Sequence, residues 1–188
     1  MSELHAFDIR LATLDDVTEL ARLIDGSVRE LQHADYTATE IELALATVYG
    51  VDTTLIADGT YYAIAADAEL VACGGWSRRA TLYGGDGFHG RSEALLDPRS
   101  DAAKIRAFFV APAYARCGLA TRLLAACERA AAAAGFTCAE LGATRTGVPF
   151  YLARGYAIVG DVDVALPQGE RLAVIRMTRT LARAGCSS

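Results

Sequence analysis

No uninterrupted apolar segment in the 188 residues approaches the roughly 20 that a bilayer-spanning helix needs, and the opening Met1 to Asp8 has no basic stretch ahead of an apolar one. A membrane span and an export leader are therefore not expected, and the chain is expected to be cytoplasmic. Positive charge is also short. Lys and Arg number 18 against 23 Asp and Glu, a net charge of −5, so the overall field repels a phosphate backbone and nucleic acid is not an expected partner. An anionic ligand needs a local site. The five cysteines, Cys73, Cys117, Cys127, Cys138 and Cys186, cannot all pair within one chain, and none stands in Cys-x-x-Cys or beside a histidine. A disulfide scaffold and a metal site are not expected; reduced thiols are. Histidine is scarce: His5, His33 and His89 stand apart from one another, without an assigned role. No internal repeat appears.

What is present fits one compact domain over 1–188, with its core at about 7–181, because 53% hydrophobic and 22% charged residues give a globular composition. Phe7 to Leu11 suggests a short strand. Thr13-Leu-Asp-Asp16 and Thr37-Ala-Thr-Glu40 each pair a hydroxyl with a carboxylate three residues on, which opens a helix. Apolar spacing continues the first through Val17, Leu20, Leu23 and Ile24, and the second through Ile41, Ala44, Leu45 and Val48. Residues 60–66 and 69–77 form a hairpin about Asp67-Ala68. The stretch 77–103, with Gly84, Gly85, Gly87, Gly90 and Pro98, is long for a structureless loop and reads as a mobile flap or as a segment ordered by substrate. Then come a strand at 104–110, an Ala/Leu-rich helix at 118–134 closed by Gly135, and a strand at 139–143. A short helix at 148–154 and an antiparallel pair at 156–165 and 171–181 complete the chain. Antiparallel and crossover connections are mixed, so the fold class is α+β, or mixed α/β.

One segment carries chemistry. From Phe109 the chain runs through Val110 and Pro112 into a turn, Arg116-Cys117-Gly118-Leu119-Ala120-Thr121, and straight into the long helix. The first turn of a helix has N–H groups without intrahelical acceptors and the positive end of the macrodipole, so a pyrophosphate can sit there. Gly118 lets the backbone approach, and Ala120 keeps the approach open. No Gly-Lys-Ser/Thr follows the turn, and no Gly-x-Gly-x-x-Gly ends a strand, which disfavours a P-loop and a dinucleotide fold.

The pattern Val110-x-Pro112-x-Tyr114, then Gly118-Leu-Ala120, resembles the central motif of the GNAT superfamily of acyl-CoA-dependent N-acetyltransferases. A second stretch is similar to that family's downstream motif: Thr144-x-x-Gly147-x-x-Phe150-Tyr151-x-x-x-Gly155-Tyr156. Thr144 stands where the family has Asn, Gly147 where it has Ala, and Ala115 at the motif's first basic or amide position, beside Arg116. The resemblance implies a mostly antiparallel mixed sheet of about seven strands with helices on both faces, acetyl-CoA as cofactor, and a homodimer. It implies that Phe109 and Val110 offer backbone N–H groups to a thioester carbonyl. By the same resemblance, residues Arg116–Thr121 with Thr144 and Phe150 bind the cofactor, and Tyr151 protonates the departing sulfur. Arg116 and Arg122 can supply charge to phosphates. A Tyr151 that only packs on the cofactor arm stays open.

A base is harder to find. Lys104 and Arg106 occupy the central strand where some relatives carry glutamate, and a cation cannot take the amine proton; a water chain is the alternative. Glu93, Asp97, Asp101 and His89 precede that strand with nothing in their spacing to separate a base from a solvated charge. Tyr36, Trp76 and Tyr83 are candidate walls of an acceptor pocket, or seals of the core. The expected activity is acetyl transfer from acetyl-CoA to a primary amine of a small molecule or peptide in a ternary complex. A non-catalytic acyl-CoA sensor is the alternative.

Overall fold

The computed structural model describes residues 7–182; His5 and Cys186 lie outside them. The elements follow the expected order. Strand β1 (Phe7–Leu11) leads through a 3-10 turn to helices α1 (Val17–Leu31), α2 (Ala38–Thr47) and the short α3 (Thr53–Ala57). Strands β2 (Tyr61–Ala66), β3 (Glu69–Ser77) and β4 (Ala103–Val110) precede α4 (Leu119–Ala133). Strand β5 (Cys138–Thr144), α5 (Val148–Leu152), β6 (Ala157–Ala165) and β7 (Arg171–Thr180) close the fold.

Local sequence accounts for most of these boundaries. Glu40 accepts from the Thr37 N–H at 2.7 Å while Thr37 Oγ1 accepts from the Glu40 N–H at 3.2 Å, a reciprocal cap that opens α2. At Thr13 the same device, tied by Arg10 to Asp16 at 2.8 Å, opens the 3-10 turn, and α1 starts four residues later than its cap. The hairpin turn at Asp67 takes a positive φ of 55°, and Gly135, at φ 97°, ends α4. Helix α3 is capped by Asp52 through the Leu55 N–H at 3.3 Å, and at five residues it is too short for a periodic signal.

The strands make one seven-stranded sheet in the order β1-β2-β3-β4-β5-β7-β6. Every pairing is antiparallel except that of β4 with β5. Helices α1 to α3 cover one face, where Leu20, Leu55, Tyr61 and Cys73 share a core. Helices α4 and α5 cover the other, over Leu124, Cys127, Leu141 and Met177. Strands β2 and β3, buried on both faces, read as continuous apolar runs.

The parallel pair is where the sheet divides. Strands β4 and β5 pair only at Ala103 with Ala139 and Lys104 with Glu140, then part. Buried Lys104 and Glu140 form an ion pair at that fork, completed from β7 by Arg176. Beyond the fork, β4 carries a bulge opposite Cys73 to Gly75, with Ala107 at φ 56°, which bends it away from its neighbour.

Candidate active site

The parting of β4 and β5 opens a cavity of about 460 Å³. Its walls are Ile105 to Val110 of β4, Gly142 to Thr144 of β5, and the entrance to α4; α1, α5, β7 and the segments around Tyr49 and Tyr83 close the rest.

At one end lies the turn into α4. Arg116 and Gly118 both adopt left-handed backbone, φ 64° and 81°, which turns the chain back on itself before the helix. A Cβ at Gly118 would meet nothing within 4 Å, so conformation alone favours glycine there. Arg122 is the first residue past the turn to close a helical bond, onto the Gly118 carbonyl at 3.2 Å, so the N–H groups of Leu119, Ala120 and Thr121 precede the ladder. Arg116, Gly118, Leu119, Ala120 and Thr121 line the cavity. Cys117 is exposed and outside the lining, its thiol 3.7 Å from the Ala115 carbonyl. Arg122 turns the other way and donates to the Phe7 carbonyl at 2.9 Å. The second cation at this end is Arg154, which donates to Thr121 Oγ1 at 2.8 Å and lies 5.3 Å over the Phe150 ring. Sequence reading missed it, although it stands one residue before Gly155 in the downstream motif.

Tyr151 also lines the cavity, 8% exposed. Its ring meets those of Phe150 at 5.0 Å, Tyr156 at 5.6 Å and Phe108 at 6.4 Å, and burial pushes the phenol above its ordinary pKa. Gly74 makes this stack fit, since a Cβ there would lie 2.7 Å from the Phe108 ring. Thr144 accepts from the Gly147 N–H at 3.1 Å, capping the turn that delivers α5, so the residue standing in for Asn has a defined task. Phe109 and Val110 both border the cavity; the Val110 N–H donates to Ser27 Oγ of α1 at 3.3 Å.

The far end is built from distant parts of the chain. Gln32, Tyr49, Tyr83, Gly84, Gly85 and Arg106 meet there. Tyr49 donates to Gln32 at 3.0 Å, and burial holds its phenol far above the ordinary value. The segment 78–102 is held by bonds within it and to Asp58 and Asp52, which corrects the expectation of a flap or of a loop needing substrate. Residues Ala80 and Leu96 donate to Ala94 and Arg78, Thr81 holds Ser92, and Arg79 pairs with Asp58 at 2.8 Å. Arg91 and Arg106 converge on the fully buried Asp52 at 2.8 and 2.7 Å, and Arg106 also donates to the Gly84 carbonyl. Burial lowers the Arg106 pKa, yet buried Arg106 and half-buried Arg91 on one carboxylate tie β4 to the loop.

Of the three aromatics named as acceptor walls, only Tyr83 lines the cavity, its ring 5.2 Å from that of Phe88. Trp76 packs edge-on to Phe136 at 6.0 Å inside the core. Tyr36 is buried, donating to the Ala173 carbonyl at 2.7 Å and accepting from the Arg145 N–H at 2.8 Å, which links the end of α1 to β7. Cys73 and Cys127 are buried and free, and burial takes the Cys73 thiol up to about 12, which suits packing and not nucleophilic chemistry. Glu93 pairs with Arg79, and Asp97 with Arg99, as exposed charges. Among the described residues no cluster could hold a metal ion, and no helix is long and apolar enough to cross a membrane.

A sequence model of the acetyltransferase (GNAT) family matches residues 26–156. No curated protein matches the chain in sequence. Solved structures similar to it include a GCN5-related N-acetyltransferase from Rhodopseudomonas palustris, with TM-score 0.69 and 22% identity, covering 93% of this chain and 95% of that one. The PaiA N-acetyltransferase of Thermoplasma acidophilum, in complex with coenzyme A, has TM-score 0.64 and 14% identity, covering 93% and 99%. YncA of Salmonella typhimurium, with its cofactor acetyl-CoA, gives TM-score 0.63 and 15% identity, covering 97% and 98%. At these identities the likeness is one of fold.

Proposed function

The chain belongs to the acetyltransferase (GNAT) family, and from that premise we propose that it is an N-acetyltransferase transferring acetyl from acetyl-CoA to a primary amine of a small molecule or peptide, donor and acceptor bound together. The observation that carries this is one cavity holding both the helix entrance and Tyr151. Neighbours of the same fold carry coenzyme A or acetyl-CoA.

The residues present fit the donor. The open N–H groups of Leu119, Ala120 and Thr121 and the positive helix end receive pyrophosphate charge, and Arg116 and Arg154 add two cations. Strand β4 and Phe150 supply an apolar wall for the arm. When bound, acetyl-CoA supplies an acyl thioester. The Val110 N–H, now on Ser27 Oγ, is the donor that serves its carbonyl, with the serine hydroxyl as the group displaced.

Tyr151 holds its proton at neutral pH and delivers it to the departing sulfur. A phenol raised by burial is a weak acid, but loss of water raises a thiol in the same direction. A thiolate leaving beside the buried phenol is likewise deprived of water and becomes more basic, which favours its taking the proton.

The test is Tyr151→Phe, which keeps the ring stack and removes the proton. Turnover is expected to fall about 100-fold or more with acetyl-CoA affinity within about twofold. Equal losses in both would make the ring a packing element. Tight acetyl-CoA binding by the unaltered protein with no thiol release on any amine would favour a sensor.

A further inference from the structure

The proposed transfer needs a neutral amine at the cavity's far end, and the groups around that end decide how it becomes neutral. Each wall contributes differently. From α1 and the residue that caps its end come Ser27 and Gln32, which do not titrate. The 48–50 segment gives Tyr49, the 82–85 segment Tyr83, β4 Arg106, the turn Tyr114 and Arg116, and α5 with its exit Tyr151 and Arg154. Strands β5 and β7 give only Gly142 to Thr144, Leu172 and Val174. Among the described residues no carboxylate, imidazole or ammonium lines the cavity.

Carboxylates behind the walls are occupied, Asp52 by Arg91 and Arg106, Glu140 by Lys104 and Arg176, and Asp86, beside lining Gly85, by Arg91, while Asp35 accepts from the hydroxyl of lining Thr146 at 2.6 Å. Arg106, the cation at this end, is held by Asp52 and the Gly84 carbonyl with its side chain only 2% exposed, and its buried Nε, which has no hydrogen-bond partner, reaches a carboxylate on the acceptor only if the side chain moves. Among the described residues no anion in the lining awaits a second ammonium on the acceptor. The remaining surface is aromatic and backbone.

Resting on the acetyltransferase reading, we infer that this site takes its acceptor as an already neutral amine with no side chain acting as base. The acceptor class is then a weakly basic primary amine on an uncharged, apolar or aromatic body. Such an amine is the α-amine of a peptide N-terminus or of an amino-acid amide, and not a lysine ε-amine, a polyamine or a free amino acid.

Amine basicity favours this class. An α-amine with a pKa of about 7.7–8.0 is neutral in about one molecule in eight at pH 7, an ε-amine at about 10.4 in about one in 2,500. Without a base, that ratio of about 300 enters the rate directly. As nitrogen bonds to the acyl carbon and the carbon–sulfur bond breaks, the proton shed by nitrogen goes to water. Tyr151 gives one to sulfur and regains one from solvent, so none is consumed overall.

The experiment compares phenylalaninamide, 2-phenylethylamine and free phenylalanine as acceptors, following thiol release and acetylated product from pH 6 to 9.5. For the amide, kcat/KM is expected to rise tenfold per pH unit and level near its own amine pKa. Phenylethylamine is expected to start at least 100-fold lower at pH 7 and to rise through pH 9.5 without levelling; plotted against neutral amine, the two curves should run parallel. Phenylalanine should react at least 100-fold more slowly than its amide. A break at one common pH for both amines, or phenylalanine equal to its amide, would overturn the inference while leaving the acetyltransferase intact. No thiol release from bound acetyl-CoA on any of the three or on a wider amine panel would remove the acetyltransferase reading and this inference with it.

Discussion

The two ends of the cavity are made in different ways. The turn end comes from two short stretches, Arg116 to Thr121 and Thr144 to Arg154, whose bonds stay mostly within a few residues of each other or run between the two. The far end gathers α1, the 48–50 and 82–85 segments, β4 and β7, and the cluster of Asp52, Arg91 and Arg106 joins β4 to the two segments. A site built from local turns keeps its shape through backbone conformation. One built from remote segments depends on what locks them together, and here the lock is a set of charges out of water.

The largest expected effect comes from that lock. In Asp52→Ala, Arg106 and Arg91 both lose their buried partner, and removing one member of a buried ion pair costs about 3–5 kcal/mol because the other charge is left uncompensated. Urea unfolding should show a loss of that size, with acceptor KM raised and acetyl-CoA affinity of the folded protein within about twofold. Unchanged stability would mean that the two ends do not differ in how they are held.

The same division explains what the sequence revealed. Thr37 with Glu40, the Asp67 turn, Gly135 and the Gly118 turn are all local patterns, and each marks its element to within a few residues. A mixed sheet of about seven strands could be anticipated, since the long helix between 104–110 and 139–143 is a crossover; the strand order and the short β4–β5 pairing could not. The ion cluster could not, because Asp52, Arg91 and Arg106 are far apart in sequence and each alone looks like a surface charge. The order in 78–102 was hidden for the same reason: its glycines suggested freedom, whereas its bonds run from Arg79 to Asp58 and from Arg91 to Asp52. Aromatics show the limit from the other side. Composition cannot tell Tyr83, which faces the cavity, from Tyr36, whose hydroxyl joins two backbone groups.

A smaller effect tests the turn end. Arg116 is not part of any core, so Arg116→Ala should leave stability within about 0.5 kcal/mol. A charge-assisted contact to phosphate is worth about 1.5–3 kcal/mol, so acetyl-CoA should bind about tenfold or more weakly, and less so in high salt. Calorimetric titration at two salt concentrations checks both. A stability loss approaching that of Asp52→Ala would erase the contrast between the ends.

The smallest effect probes the point where the ends meet. Gly147 replaces the alanine that the family pattern has, and a Cβ there would lie 3.3 Å from Thr144 Oγ1 and 3.4 Å from the edge of the Tyr151 ring. Restoring the side chain in Gly147→Ala must move one of them by a few tenths of an ångström. The Thr144 hydroxyl is fixed by its bond to the Gly147 N–H, so the ring is the part that yields. If Tyr151 is a proton donor whose position sets the rate, turnover should fall by about two- to fivefold, since displacements of a full ångström cost about 100-fold. Acetyl-CoA affinity and unfolding midpoint should hardly move. An unaltered turnover would show that the reaction tolerates the shift, and it would bring the ring's role closer to packing than to proton delivery.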